Sequence, residues 1–160
     1  MRTSLNLAPA SSHAERSRPA NDDPVRRGGD DSGPATILVV EDEVLIRLAV
    51  ADYLRTCGYR VLEASTGEEA QAVFGNDEHI EVLLTDIDLG RGMNGFELAR
   101  WARGQHPNVR IMLTSGVSRM AQTAGELCEL PLFKKPYPHE QLAEEIRRRL
   151  NAMRHAGPGD

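Results

Sequence analysis

The chain has 160 residues, with 19 basic and 24 acidic side chains. That length suffices for one domain with its own core, and the mildly acidic balance disfavours nucleic acid as a bulk electrostatic partner. No apolar run approaches the roughly 18 residues of a membrane helix, the N-terminus lacks the apolar stretch of a secretory signal, and Cys57 and Cys128 match no metal spacing. The two thiols read as reduced cysteines of a cytoplasmic protein.

Residues 1–35 are rich in Ser, Pro, Arg, Asp and Gly and nearly lack large apolar side chains after Leu7. Such a segment cannot bury enough surface to offset its ordering entropy, so a disordered tail is expected. From Thr36 onward, strand and helix signals alternate. Thr36–Val40 is an unbroken apolar run, as in a strand covered on both faces. Glu43–Cys57 carries Val44, Leu45, Leu48, Ala51 and Leu54 at helical spacing, and Gly58 ends it. Tyr59–Glu63 reads as a short strand. Thr66-Gly67-Glu68-Glu69 has the form of a capping box and opens a helix to about Phe74. Ile80–Thr85 is the third strand. The glycine-rich stretch Gly90-Arg91-Gly92-Met93-Asn94-Gly95 leads into a helix carrying Phe96, Leu98, Ala99 and Ala102. Val109–Thr114 is the fourth strand. The stretch Val117–Glu129 suggests a short or irregular fourth helix. Pro131–Lys134 is a short fifth strand at an edge. Pro138 suits the first turn of a last helix with Leu142, Ile146 and Leu150 on one face, and Arg147-Arg148-Arg149 near its end offset the helix dipole. Residues 36–150 thus form one α/β domain of five βα units, a doubly wound parallel sheet. Residues 151–160 are a short polar tail with no room for an output domain.

Three apolar runs end on charged residues. Ile37-Leu38-Val39-Val40 runs into Glu41-Asp42, Val82-Leu83-Leu84-Thr85 into Asp86, and Leu132-Phe133 into Lys134-Lys135-Pro136. In a parallel sheet these tips share one edge, where α/β proteins place their sites. Carboxylates gathered there repel one another and call for a cation, and a lysine adds an anion contact. The combination reads as a site for a phosphoryl group and a divalent metal.

Val39-Val40-Glu41-Asp42-Glu43, Leu84-Thr85-Asp86, Met93-Asn94-Gly95, Leu113-Thr114-Ser115-Gly116 and Lys135-Pro136-Tyr137, in this order, resemble the receiver domain of two-component response regulators. The resemblance implies a flavodoxin-like fold with strand order 2-1-3-4-5. It makes Asp86 the phosphoacceptor, a carboxylate that becomes a useful nucleophile once oriented and charge-neutralised. It assigns Mg²⁺ to Asp42, Glu41, Asp86 and the backbone carbonyl of Asp88, with Glu41 acting partly through water. Lys135 is to pair with Asp86 at rest and with a phosphoryl oxygen afterwards, while strand alternation points Lys134 elsewhere. Thr114 is to donate its hydroxyl to the phosphoryl oxygen, and Ser115 is small enough to leave it accessible. The implied donor is a phosphohistidine on a histidine kinase or histidine phosphotransfer protein. Output would pass to a further protein through the fourth helix, fifth strand and last helix, with no nucleic acid or membrane partner. The expected protein is a stand-alone receiver rather than an enzyme.

Four departures from the family pattern stand out. Leu132 occupies the usual aromatic position three before the lysine, and Phe133 beside it should face the other way. The loop after Asp86 lacks the common proline and reads Leu89-Gly90-Arg91-Gly92, which predicts more backbone freedom. Asp88 adds a carboxylate near the site, and Gly116 offers no side chain. Two other readings remain. Leu84-Thr85-Asp86-Ile87-Asp88 resembles the nucleophile motif of haloacid-dehalogenase-type phosphatases, although there the acid pair normally follows the lysine rather than preceding the motif. A receiver fold that no longer accepts phosphate could also serve as an adaptor.

Overall fold

A computed structural model describes residues 33–76, 79–116 and 132–155. Five strands are present: β1 (Thr36–Val40), β2 (Arg60–Ala64), β3 (Val82–Asp86), β4 (Arg110–Ser115) and β5 (Leu132–Lys134). The described helices are α1 (Val44–Thr56), α2 (Gly67–Gly75), α3 (Gly95–Gln105) and α4 (His139–His155). All strand pairs are parallel and the order is β2-β1-β3-β4-β5. This is the flavodoxin-like order, with β5 at one edge. The expected helix over Val117–Glu129 and the start of the fifth strand at Pro131 lie outside the described residues.

Alternation along the central strands splits the core into two layers, because successive side chains leave a strand on opposite faces. Ile37, Val39, Val82, Leu84 and Met112 meet Val50, Ala51 and Leu54 of α1 and Leu142, Ile146 and Leu150 of α4. Leu38, Val40, Leu83, Ile111 and Leu113 meet Ala70 and Phe74 of α2 and Leu98, Ala99 and Ala102 of α3. Both faces of β1 and β3 are therefore covered, which is why their sequences are continuous apolar runs rather than alternating ones.

Two local expectations change. The apolar stripe of α1 is turned outward at its start: Val44, Leu45 and Leu48 are 55%, 82% and 43% exposed. The inward positions one turn before Val50 and Ala51 are Ile46, which packs on the core, and Arg47. Its guanidinium donates to the Glu41 carbonyl at 2.7 Å and pairs with Glu63 at 3.4 Å, tying α1 to the strand tips. At α2, Thr66 does accept from the Glu69 amide. Glu69, however, reaches back to the amide and hydroxyl of Ser65 at 2.6 and 2.7 Å, not to the Thr66 amide. The reciprocal capping box occurs instead at α3, between Asn94 and Glu97.

Candidate phosphoryl and metal site

Strand ends bring the charged residues together. Asp86, the last residue of β3, stands in register with Thr114 of β4. The Ile87 amide donates to the Thr114 carbonyl at 2.9 Å, and the Thr85 hydroxyl to the Asp86 carbonyl at 2.9 Å. Glu41 follows β1, with its amide on the Ala64 carbonyl, and Lys135 follows β5, with its amide on the Ser115 carbonyl at 2.8 Å. Backbone pairing therefore continues past the strands into the site, fixing where each side chain emerges. The close passage of α3 behind Asp86 requires glycine, since a Cβ on Gly95 would overlap the Asp86 carbonyl.

The Lys135 ammonium donates to Glu41 Oε2 at 2.6 Å and to Asp86 Oδ2 at 2.8 Å. Lys134 is exposed. Both carboxylates are buried, at 3% and 5% residue exposure, whereas Asp42 is exposed. The direct Glu41–Lys135 contact goes beyond the sequence expectation, which places Glu41 at the metal, partly through water. Burial pushes the Glu41 carboxyl above its ordinary range; the Lys135 contact opposes this only in part, and the Asp86 charge adds to it. Burial pulls the Lys135 ammonium down, but its hydrogen bonds to Asp86 and Glu41 overcome that and leave it above the ordinary lysine value.

Oxygens of Glu41, Asp42 and Asp86 lie within 4.8 Å of one another. Asp86 Oδ1 is buried with no hydrogen-bond partner among the described residues. A buried carboxylate oxygen without a donor is costly, and an ion would satisfy it. An all-oxygen, carboxylate-rich set with one solvent-facing member suits a hard divalent cation that keeps waters, such as Mg²⁺. Asp88 is exposed and its Oδ1 accepts from the Gly90 amide at 3.4 Å. Thr114 and Ser115 are buried beside Asp86.

Leu132 and Phe133 leave β5 on opposite faces. Leu132 packs toward the α2–α3 layer, and Phe133 toward the α1–α4 layer. Phe133 meets Tyr137 edge-on at 6.0 Å. Tyr137 interacts with Thr114, and burial pushes its phenol up to about 12. It also lines a groove of about 550 Å³ with Leu45, Ile46, Ala49 and His139. The sequence reading quoted Tyr137 only as part of a motif; its two-residue distance from Lys135 was the signal for its place here.

The model of the response regulator receiver domain matches residues 37–147, and the chain belongs to that family. It is 29% identical over 134 residues to the sensor kinase CckA of Brucella abortus, covering 82% of this chain and 14% of that protein. It is 26% identical over 116 residues to the sporulation initiation phosphotransferase F of Bacillus subtilis, covering 71% of this chain and 92% of that one. The chain thus spans a small part of the first relative and most of the second. A solved structure of the response regulator TrrA from Thermotoga maritima, in complex with Mg²⁺-BeF, is 26% identical with a TM-score of 0.64, covering 71% of this chain and 97% of that one. Among the described residues no helix is long and apolar enough to cross a membrane.

Proposed function

We propose that the chain accepts a phosphoryl group on Asp86 from a phosphohistidine and signals through protein contacts. The observation that carries this reading is the buried, unpartnered Oδ1 of Asp86 beside Lys135 and two further acids. Glu41, Asp42, Asp86 and the Asp88 carbonyl would hold Mg²⁺, which when bound neutralises charge on the transferring group. An Asp86 carboxylate oxygen forms the new O–P bond as the donor's N–P bond breaks, and the imidazole leaves with the electron pair. Lys135 exchanges its carboxylate contacts for a phosphoryl oxygen, and the Thr114 hydroxyl donates to another.

Val44, Leu45 and Leu48 are exposed in the first turns of α1, and Leu45 lines a groove with Lys135. Apolar side chains clustered in the open beside a reactive group suit a docking partner better than solvent, and the proposed occupant is the donor protein. Residues 36–150 are proposed as the receiver domain; most of the tails expected at 1–35 and 151–160 lies outside the described residues. The proposed setting is the cytoplasm, where the receiver acts as a regulator or relay rather than as an enzyme.

The test is incubation with acetyl phosphate and Mg²⁺, followed by intact-protein mass measurement, then phosphotransfer profiling against candidate kinases. One phosphoryl group on the wild type and none on Asp86→Asn is the expected result. An unmodified wild type would leave the adaptor reading. Rapid multiple-turnover hydrolysis of phosphomonoesters would favour the phosphatase reading.

A further inference from the structure

The glycine-rich loop between Asp86 and α3 is anchored at both ends of its course. Leu89 is buried, 3% exposed, in the α2–α3 layer. The Met93 amide donates to Glu68 Oε1 at 2.9 Å. The fit around this bond is close. A Cβ on Gly67 would meet Met93 Cβ at 2.8 Å, and one on Gly92 would meet Glu68 Oε1 at 2.6 Å. Gly92 has φ +90° and Gly90 φ +71°, a region that side-chain-bearing residues adopt at a cost. The glycines therefore let the backbone lie against Glu68 rather than leaving it loose. On the other side of the loop, a Cβ on Gly90 would stand 3.3 Å from Asp42 Oδ2. One loop thus touches both the first turn of α2 and the most exposed member of the acid cluster.

We propose that Glu68 is a positioning residue for the metal pocket: by latching the Met93 amide it holds the Gly90 backbone against Asp42 and fixes the pocket's open side. The proposal deepens the phosphoacceptor reading and rests on it. Glu68 touches none of the reacting groups. It acts on the span from Asp88, whose carbonyl is a proposed ligand, to Asn94, which caps α3. Without the latch the loop keeps its Leu89 anchor but gains freedom over Gly90–Met93, and ion binding must then order it. Its neighbour Glu69 provides an internal control, because it has the same charge and helix turn but its carboxylate bonds Ser65 rather than the loop.

The experiment uses the full chain and two readouts, Mg²⁺ affinity by calorimetry and amide hydrogen exchange at Met93 without metal. Glu68→Ala should weaken Mg²⁺ binding on the order of 10-fold, the scale for groups that orient metal ligands, and speed exchange at Met93. Glu68→Gln keeps an acceptor oxygen and should restore both. Glu69→Ala should lower thermal stability while leaving Mg²⁺ affinity within about twofold. Wild-type affinity in Glu68→Ala overturns the proposal. Equal losses in Glu68→Gln and Glu68→Ala also overturn it, since charge rather than the latch would then be responsible. A wild type that binds no Mg²⁺ sinks the phosphoacceptor reading along with this one, whereas normal wild-type binding with insensitivity to Glu68 sinks this one alone.

Discussion

Replacing Lys135 by methionine keeps most of the aliphatic stem and removes the one cation among the described residues that contacts both Glu41 and Asp86. The Lys135 side chain is 15% exposed, and those of Glu41 and Asp86 4% and 6%, so water replaces little of what is lost. Breaking a buried ion pair on one side commonly costs about 3–5 kcal/mol, because a charge is left uncompensated. Here the loss has a ceiling, since the protein can protonate Glu41. Holding a carboxyl of ordinary value 4.5 in its neutral form near pH 7 costs about 3 kcal/mol, and near pH 5.5 only about 1 kcal/mol. The sign follows from linkage. With Lys135 gone, the folded-state value of Glu41 rises further above its unfolded value. Stability tied to that proton is fully present below the unfolded value and is lost as pH rises through the folded one. The deficit of Lys135→Met relative to wild type should therefore grow from acid to neutral pH, by up to about 1.4 kcal/mol per unit. Urea denaturation across that range measures it. Mg²⁺ should restore more stability to the variant than to the wild type, because no internal ammonium competes for the carboxylates. A deficit that does not change with pH, or none at all, would refute the account of Lys135 as the resting counter-ion.

Four further outcomes can be checked. Gly95→Ala should destabilise the fold by about 3 kcal/mol or prevent folding, because its Cβ has no room against the Asp86 carbonyl; chemical denaturation reads this, and an ordinary midpoint would contradict the packing described. Asp88→Asn should alter the lifetime of the Asp86 phosphoryl group, followed as loss of label after the donor is removed, and an unchanged rate refutes a role for that carboxylate. Leu45→Ala, at an 82% exposed position, should slow transfer from the cognate phosphohistidine donor by about tenfold while leaving acetyl phosphate labelling intact; equal rates with both donors exclude α1 as the docking face. Tyr137 should titrate at about 12, seen as the phenolate absorbance that disappears in Tyr137→Phe. Its folded value exceeds its unfolded one, so its contribution is complete below about pH 10 and is lost as pH rises through about 12.

The strands were legible because β1 and β3 are covered on both faces, which demands unbroken apolar runs. Their ends shifted for tertiary reasons. Ala64 pairs with Val40 and Asp86 with Thr114, so β2 and β3 run on into residues whose types alone suggest loop. Periodicity misplaced the first half of α1: Val44, Leu45 and Leu48 fit a buried stripe by spacing, yet the inner positions there are Ile46, packed on the core, and Arg47, held by Glu41 and Glu63. The loop after Asp86 misled in another way. Glycines predict freedom, yet Gly90 and Gly92 take left-handed conformations that bring the backbone close to the Asp42 and Glu68 carboxylates. Composition shows that a glycine is permissive, not what its absent side chain makes room for.

The strand order explains why residues so distant in sequence could be grouped before any coordinates. Parallel neighbours end at the same edge, so carboxylates at the tips of β1 and β3 come together whatever the helices between them contain. That edge also creates a problem for folding, since two buried carboxylates and a third at the rim repel before any ion arrives. Lys135, delivered by the three-residue β5, answers the repulsion from within the chain. It satisfies one oxygen of Asp86 and leaves the other, Oδ1, without a donor among the described residues. The resting site is therefore partly neutralised from within the chain but not saturated. Any cation or phosphoryl group that enters competes with, or redirects, the same ammonium, so occupancy of the site and the position of Lys135 are physically inseparable.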